Sequence, residues 1–325
     1  MNLSIQYLRG LAALLVVFVH FSYGLPLSIF CGAIGVDIFF FISGFIMSET
    51  AERYKENKLL FIKNRIIRIY PLYLILLIPV LLLFALSNPL NLSTIIKSIL
   101  FFGGNYYHYQ DPILFSGWTL LFEFIFYFII ITFSKSKRMV NIILLAMGSI
   151  GLLFPIETFL GIFFNQFYLY FLIGMNLKDV LSHFKPKIPL FHLILSVILI
   201  LMVMLFKDKF STDYLSRQFV TNGSLVFPRA IFWGIPCFYF VISFIRYTEN
   251  LKANQILKYV GDRSYSIYLV HTVLYILMNN EIVRQNLNFM PYNFFKLILI
   301  SLLFPISELT YSMIEMKLSK RLKSI

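Results

Sequence analysis

IYPLYLILLIPVLLLFAL, residues 69–86, runs for eighteen positions without a charged side chain. As a helix it covers about 27 Å, close to the roughly 30 Å hydrocarbon core of a bilayer. Lipid offers no water to a backbone N–H or C=O, and a helix satisfies both within its own segment. A single run of this kind also suits a buried core helix, but the rest of the chain repeats it. Apolar stretches occupy roughly 5–22, 32–48, 116–134, 139–154, 164–177, 190–206, 227–245, 264–280 and 295–314 as well. The pattern predicts an all-α, polytopic integral membrane protein with about ten transmembrane helices, forming one domain over residues 1–325. Residues 93–104 are apolar but short, and are expected as a half-buried or re-entrant segment on the outer side.

Composition agrees. The chain is 59% hydrophobic and 13% charged, against about a quarter charged in soluble domains. No internal repeat or low-complexity tract is visible. The longest outer loop, about 207–226, is too short to fold alone, so the chemistry is expected within the membrane or at its surfaces. Cys31 and Cys237 stand in no metal-binding or CxxC spacing, which predicts neither a disulfide framework nor a metal site. The first 25 residues do not read as a cleaved signal peptide. Arg9 lies inside the apolar segment, His20 interrupts it, and no A-x-A site follows.

The basic residues set an expected orientation. With the N-terminus inside, the inner loops hold Arg53, Lys55, Lys58, Lys63, Arg65, Arg68, Lys135, Lys137, Arg138, Lys178, Lys185, Lys187, Arg246, Lys252, Lys258 and Arg263. The tail adds Lys317, Lys320, Arg321 and Lys323, making twenty; the outer side holds seven, and Arg9 lies in a span. Both termini are therefore expected in the cytoplasm. The net charge of +13 follows from this topology and calls for no nucleic-acid partner.

Ionisable groups inside spans are expensive, at least about 2.5–3.5 kcal/mol at mid-bilayer, and are functional candidates by default. Here they are Arg9, His20, Asp37, Glu123, His271 and Glu308. Counted from the outer span ends, His20, Asp37 and Glu123 fall within about 8 Å of one another in depth. Asp37 on the neighbouring span could orient His20 or stabilise its protonated form, as a general base requires. The same pair could instead fix helix packing. Arg9 and His20 are eleven residues apart, about 16 Å along one helix face. Arg65 and Arg68, three apart, share a face and suit a phosphate-bearing ligand, although basic pairs beside a membrane also contact anionic lipid. His271, taken by itself, fits a satisfied core histidine. His108, His183 and His192 fit loops or interfaces, as do Glu157 and Lys97.

These residues fall into a recognisable series. Arg9 through His20 resembles an R-(ten residues)-H signature. Gly35-Val36-Asp37-Ile38-Phe39-Phe40, followed by Ile42-Ser43-Gly44-Phe45, resembles a second-span motif. Arg65-x-x-Arg68-x-Tyr70-Pro71 is similar to a cytoplasmic motif, and Trp118-Thr119-Leu120 with Glu123, Phe126 and Tyr127 to a fourth-span element. Gly261 through His271 resembles G-x-x-S-Y-x-x-Y-L-x-H, and Tyr311 to Glu315 a terminal Y-x-x-x-E. Lys317 stands where that last motif usually has proline. Six matches in order over residues 8–317 identify the chain as a member of acyltransferase family 3, the membrane O-acetyltransferases of bacterial surface glycans.

The resemblance implies ten spans in the inner, cytoplasmic membrane. It also implies no bound cofactor, a cytoplasmic acyl-CoA donor, acetyl-CoA in the first instance, and a glycan or lipid-linked glycan acceptor. An appended SGNH-type soluble domain is not expected at this length. His20 is then expected as general base or as a transiently acylated residue, oriented by Asp37, with Glu123 positioning the acceptor or sharing the proton. Arg9, Arg65 and Arg68 are expected to hold the donor, with Trp118, Tyr127 and His271 as further site residues. A proton-coupled transporter or glycan flippase would use similar buried charges, though no inverted repeat points that way. An acyltransferase acting on a small molecule or on peptidoglycan is the other alternative.

Overall fold

The computed structural model describes residues 2–22, 34–102, 112–154, 159–205, 230–249 and 251–323, and every regular element among them is helical. Cys31, His108, Glu157 and the 207–226 loop lie outside the described residues. Helices α1 (Asn2–Ser22) and α2 (Ile34–Arg53) lead into α3 (Lys58–Ser87), the short α4 (Leu92–Ile99), α5 (Gly117–Thr132) and α6 (Lys137–Leu153). Then come α7 (Phe167–Met175), α8 (Leu177–His183), α9 (Pro189–Leu205), α10 (Ile235–Thr248) and α11 (Gln255–Asp262). The chain ends with α12 (Ser264–Asn279), α13 (Glu281–Asn286), α14 (Tyr292–Thr310), a wide π-helical stretch over Tyr311–Leu318, and α15 (Ser319–Lys323).

Local chemistry explains several boundaries. Asn57 caps α3, accepting from the Leu60 N–H at 3.0 Å, and Asn91 caps α4 by accepting from Thr94. This satisfies N–H groups that a helix start leaves open. The stretch expected to be half-buried or re-entrant is the amphipathic α4, whose Leu92, Ile96 and Leu100 stay exposed. It stops at Phe101, which takes a left-handed φ of 64°, costly for a side chain of this size. Packing holds it there: Phe101 is buried against Tyr70, Tyr73 and Phe124, and the Phe102 N–H closes the end on Lys97 O at 2.8 Å.

Helix α2 is buried on all sides and forms the centre of the bundle. It crosses α7 through two reciprocal glycines. A Cβ on Gly44 would stand 2.3 Å from the Phe171 carbonyl oxygen, and one on Gly174 2.1 Å from that of Phe41. Only glycine permits backbones this close, the small-residue packing common between membrane helices. Large apolar side chains on α3, α9 and α14, such as Ile78, Leu82, Ile198, Leu297 and Leu309, remain exposed, as lipid-facing surfaces require.

Each of the ten expected spans falls on helix over much of its described part, but fewer than ten of these helices are long and apolar enough to cross a membrane. By length and apolarity, five described helices can cross a membrane: Leu3–Ser22, Ile34–Arg53, Lys58–Leu86, Ala230–Thr248 and Tyr292–Lys323. A bent pair of helices at the expected 164–177 span would make a sixth. Leu160–Met175 and Leu177–His183 meet at 56°, where the Asn176 side-chain amide donates to Leu172 O at 2.8 Å and to Asn141. Gly117–Thr132 and Pro189–Val203 are shorter apolar helices.

Candidate functional site

Two sites emerge within the bundle, and one tyrosine joins them. The first is a cavity of about 440 Å³ at the end carrying the N-terminus. Glycine contacts place its first wall. Gly10 of α1 and Gly261 of α11 let the helices touch, and a Cβ on Gly261 would lie 2.1 Å from Gln6 O. Gln6 is thereby held where its amide donates to Asp262 Oδ1 at 3.0 Å, while its Oε1 accepts from Arg9 Nη1 at 3.1 Å. Arg9 is thus aimed into the cavity by a short polar chain.

Helix α3 supplies Arg65 and Arg68 to the same space. Arg65 lies over the Phe61 ring, 5.8 Å from its centroid. Its buried Nε has no hydrogen-bond partner among the described residues, a state buried polar groups rarely keep unless a ligand or water completes it. Arg68 pairs with Glu315 at 3.2 Å, and the Glu315 side chain is fully buried. Glu315 Oε1 also accepts from Ser266 Oγ at 2.5 Å. Glu123 completes the lining, with Tyr127 donating to its Oε2 at 2.8 Å.

The second site lies further along α1 and α12. The His20 ring packs 5.1 Å from those of His271 and Tyr275 and 5.2 Å from that of Phe115. His20 Nδ1 lies 2.8 Å from Val16 O. A carbonyl only accepts, so Nδ1 carries the hydrogen, and in the neutral ring Nε2 holds the lone pair. Val16 also packs at Gly35, where a Cβ would meet its Cγ2 at 2.9 Å. Asp37, wholly buried, follows two residues later on α2. Tyr268 joins the two sites. It lines the cavity, its hydroxyl is 2.9 Å from Thr119 Oγ1, and its ring is 5.5 Å from that of His271.

Five of the expected site residues, Arg9, Arg65, Arg68, Glu123 and Tyr127, therefore line one cavity. Glu123 does so with the arginines. Residues 112–116 precede α5 without being helical, yet Leu114 and Ser116 are buried. Helix α5 thus begins inside the protein. His271 joins His20, and Trp118 packs among Phe40, Phe122 and Phe167.

Glu308 also moves out of the candidate set. Its side chain is 40% exposed and binds Arg263 and Tyr259 at the bundle surface. Glu315 is the buried carboxylate of that region. It had only a motif to announce it, because it lies beyond the apolar run. Asp262, Gln6 and Tyr275 had no sequence signal of their own. Among the described residues no three His, Cys, Asp or Glu side chains converge as a metal site would need.

Comparison with known proteins adds three findings. The sequence model described as an acyltransferase domain matches residues 2–307. The exopolysaccharide production protein ExoZ of Rhizobium meliloti (strain 1021) is 38% identical over 103 residues. That match covers 30% of this chain and 32% of the relative, so the aligned part spans about a third of that protein. No solved structure matches.

Proposed function

Because the chain belongs to acyltransferase family 3, we propose that it transfers an acyl group, acetyl in the first instance, from acyl-CoA to a hydroxyl of a cell-envelope glycan. The observation that carries this reading is the basic cavity joined through Tyr268 to His20. Coenzyme A bears several phosphate charges, and guanidinium groups bind phosphate in forked geometry. The ExoZ likeness favours an exopolysaccharide as acceptor class.

In the proposed reaction the donor phosphates lie among Arg9, Arg65 and Arg68, and the acyl arm passes Tyr268 toward His20. His20 Nε2 takes the proton of the acceptor hydroxyl as its oxygen attacks the thioester carbonyl. The carbon–sulfur bond breaks, and the thiolate receives the proton back from the imidazolium. Asp37 favours the charged ring. Glu123 lies within electrostatic reach of Arg9 and Arg65, so we assign it to arranging the donor site instead of the acceptor. Ten spans, with both termini on the cytoplasmic side of the inner membrane, would place the cavity where acyl-CoA is made.

The direct test is acetyl-CoA consumption by purified protein in detergent with an isolated envelope glycan. Product carrying a new ester is expected. A protein that carries glycan across vesicles but never cleaves the thioester would be a transporter. Arg65→Ala is expected to weaken acyl-CoA binding about ten-fold, the loss of one charged hydrogen bond, without unfolding the bundle. Unchanged affinity by equilibrium binding would reduce Arg65 to a topology marker. Orientation is checked by cysteines placed at Ser211 and Ser324. Impermeant reagent outside intact cells is expected to label position 211 alone, and the reverse result would put the donor cavity on the wrong side.

A further inference from the structure

The rim of the arginine cavity is built by the last turn of the described chain. After the wide turns of Tyr311–Leu318 the helix continues into α15, which packs against the first half of α3. Ser319 Oγ donates to Ile67 O at 3.2 Å. Leu322 shares an apolar hollow with Leu59, Ile62 and Ile66. The next residue, Lys323, lines the cavity. The cations are thereby ordered along α3: Lys323 beside its first turns, then Arg65, then Arg68 one turn further in. Arg68 is already paired with Glu315, and Arg9 is held by Gln6. Lys323 has no ion-pair or hydrogen-bond partner among the described residues.

We propose that Lys323 binds the phosphate at the far end of the donor, the 3′-phosphate of coenzyme A, and that α15 thereby forms part of the donor site. This rests on the acyl-CoA reading above. Coenzyme A is a linear ligand, with thioester, pantetheine arm, pyrophosphate and then a 3′-phosphorylated adenosine. With the thioester directed past Tyr268 toward His20, the pyrophosphate falls among the arginines and the last phosphate reaches the rim. An exposed phosphate on a ribose suits a mobile point charge such as lysine, whereas the buried pyrophosphate suits the rigid forks of arginine. An anionic lipid headgroup has the same chemistry, and the test separates the two.

The experiment measures equilibrium binding of coenzyme A and of 3′-dephospho-coenzyme A to the full chain in non-ionic detergent. Wild type is expected to prefer coenzyme A by about five-fold, the scale of a partly solvated charge pair, and the preference is expected to fall with salt. Lys323→Gln is expected to bring the two affinities together by weakening coenzyme A alone, while Lys323→Arg retains the preference. Unchanged dephospho-coenzyme A binding in Lys323→Gln shows that the fold is intact. A preference that survives Lys323→Gln overturns the proposal. So does an effect of the substitution seen only after anionic phospholipid is added, which assigns Lys323 to lipid. If wild type binds neither nucleotide, the acyl-CoA reading itself falls.

Discussion

His20→Ala is expected to lower acyl transfer by about 10²–10⁴-fold, the usual contribution of a general base, while donor affinity stays at the wild-type value. The separation follows from the structure. His20 is absent from the lining of the arginine cavity, and eleven residues of helix, about 16 Å, lie between it and Arg9. In the proposed reaction, binding and proton transfer are thus assigned to different parts of the chain. The hydrogen on Nδ1 is committed to Val16 O, so the ring has one orientation and presents one basic nitrogen. Asp37→Asn keeps size and hydrogen bonding but removes the charge that favours the imidazolium, and is expected to lower turnover less than His20→Ala. Steady-state transfer and donor binding, measured on the same preparations, check both. Transfer that persists in His20→Ala would move the base to His271, whose ring lies 5.1 Å away.

The second large effect is on stability. Arg68→Ala leaves the fully buried Glu315 carboxylate without its cation, and stranding one member of a buried pair costs about 3–5 kcal/mol. Arg68 itself is 35% exposed, so losing Glu315 leaves an arginine that water can still reach. Glu315→Gln, which keeps the shape and the Ser266 contact, is therefore expected to be milder. Combining Arg68→Ala with Glu315→Gln is expected to recover much of the loss. Thermal unfolding in detergent of the two single variants and the double variant forms the cycle. A double variant destabilised by the sum of the two single losses would show that the pair is not coupled. Among the described residues Arg65 is in no ion pair of this kind, and for this reason it is the cleaner probe of the proposed donor site.

The helices were legible because each buries or exposes an apolar run with little interruption. The arginine cavity was legible in part, since Arg65 and Arg68 share a face by simple periodicity and Arg9 stands out within an apolar helix. The approach to α5 was less legible, since Leu114 and Ser116 are buried without being helical and no periodicity announces that. Asp262 and Gln6 were invisible for a different reason. Neither is unusual in its own segment, and their meeting depends on the Gly10–Gly261 contact between helices more than 240 residues apart in sequence. The break at Asn176 has a similar origin, in a side chain bonding to its own helix and to Asn141.

The π-helical stretch carries a consequence for chain length. A π turn accommodates more residues than an α turn and amounts to a local insertion within an otherwise regular helix. Between Tyr311 and Leu318 this surplus changes the helical phase, turning Glu315 toward Arg68 and Ser266 while the chain continues into α15. Deleting one residue here would rotate everything beyond it by about 100°, carrying the carboxylate off its partners and Ser319 off Ile67. The final segment is therefore under a reading-frame-like constraint at the level of residues. Substitutions can be absorbed one by one, but its length can change only in steps that restore the same phase.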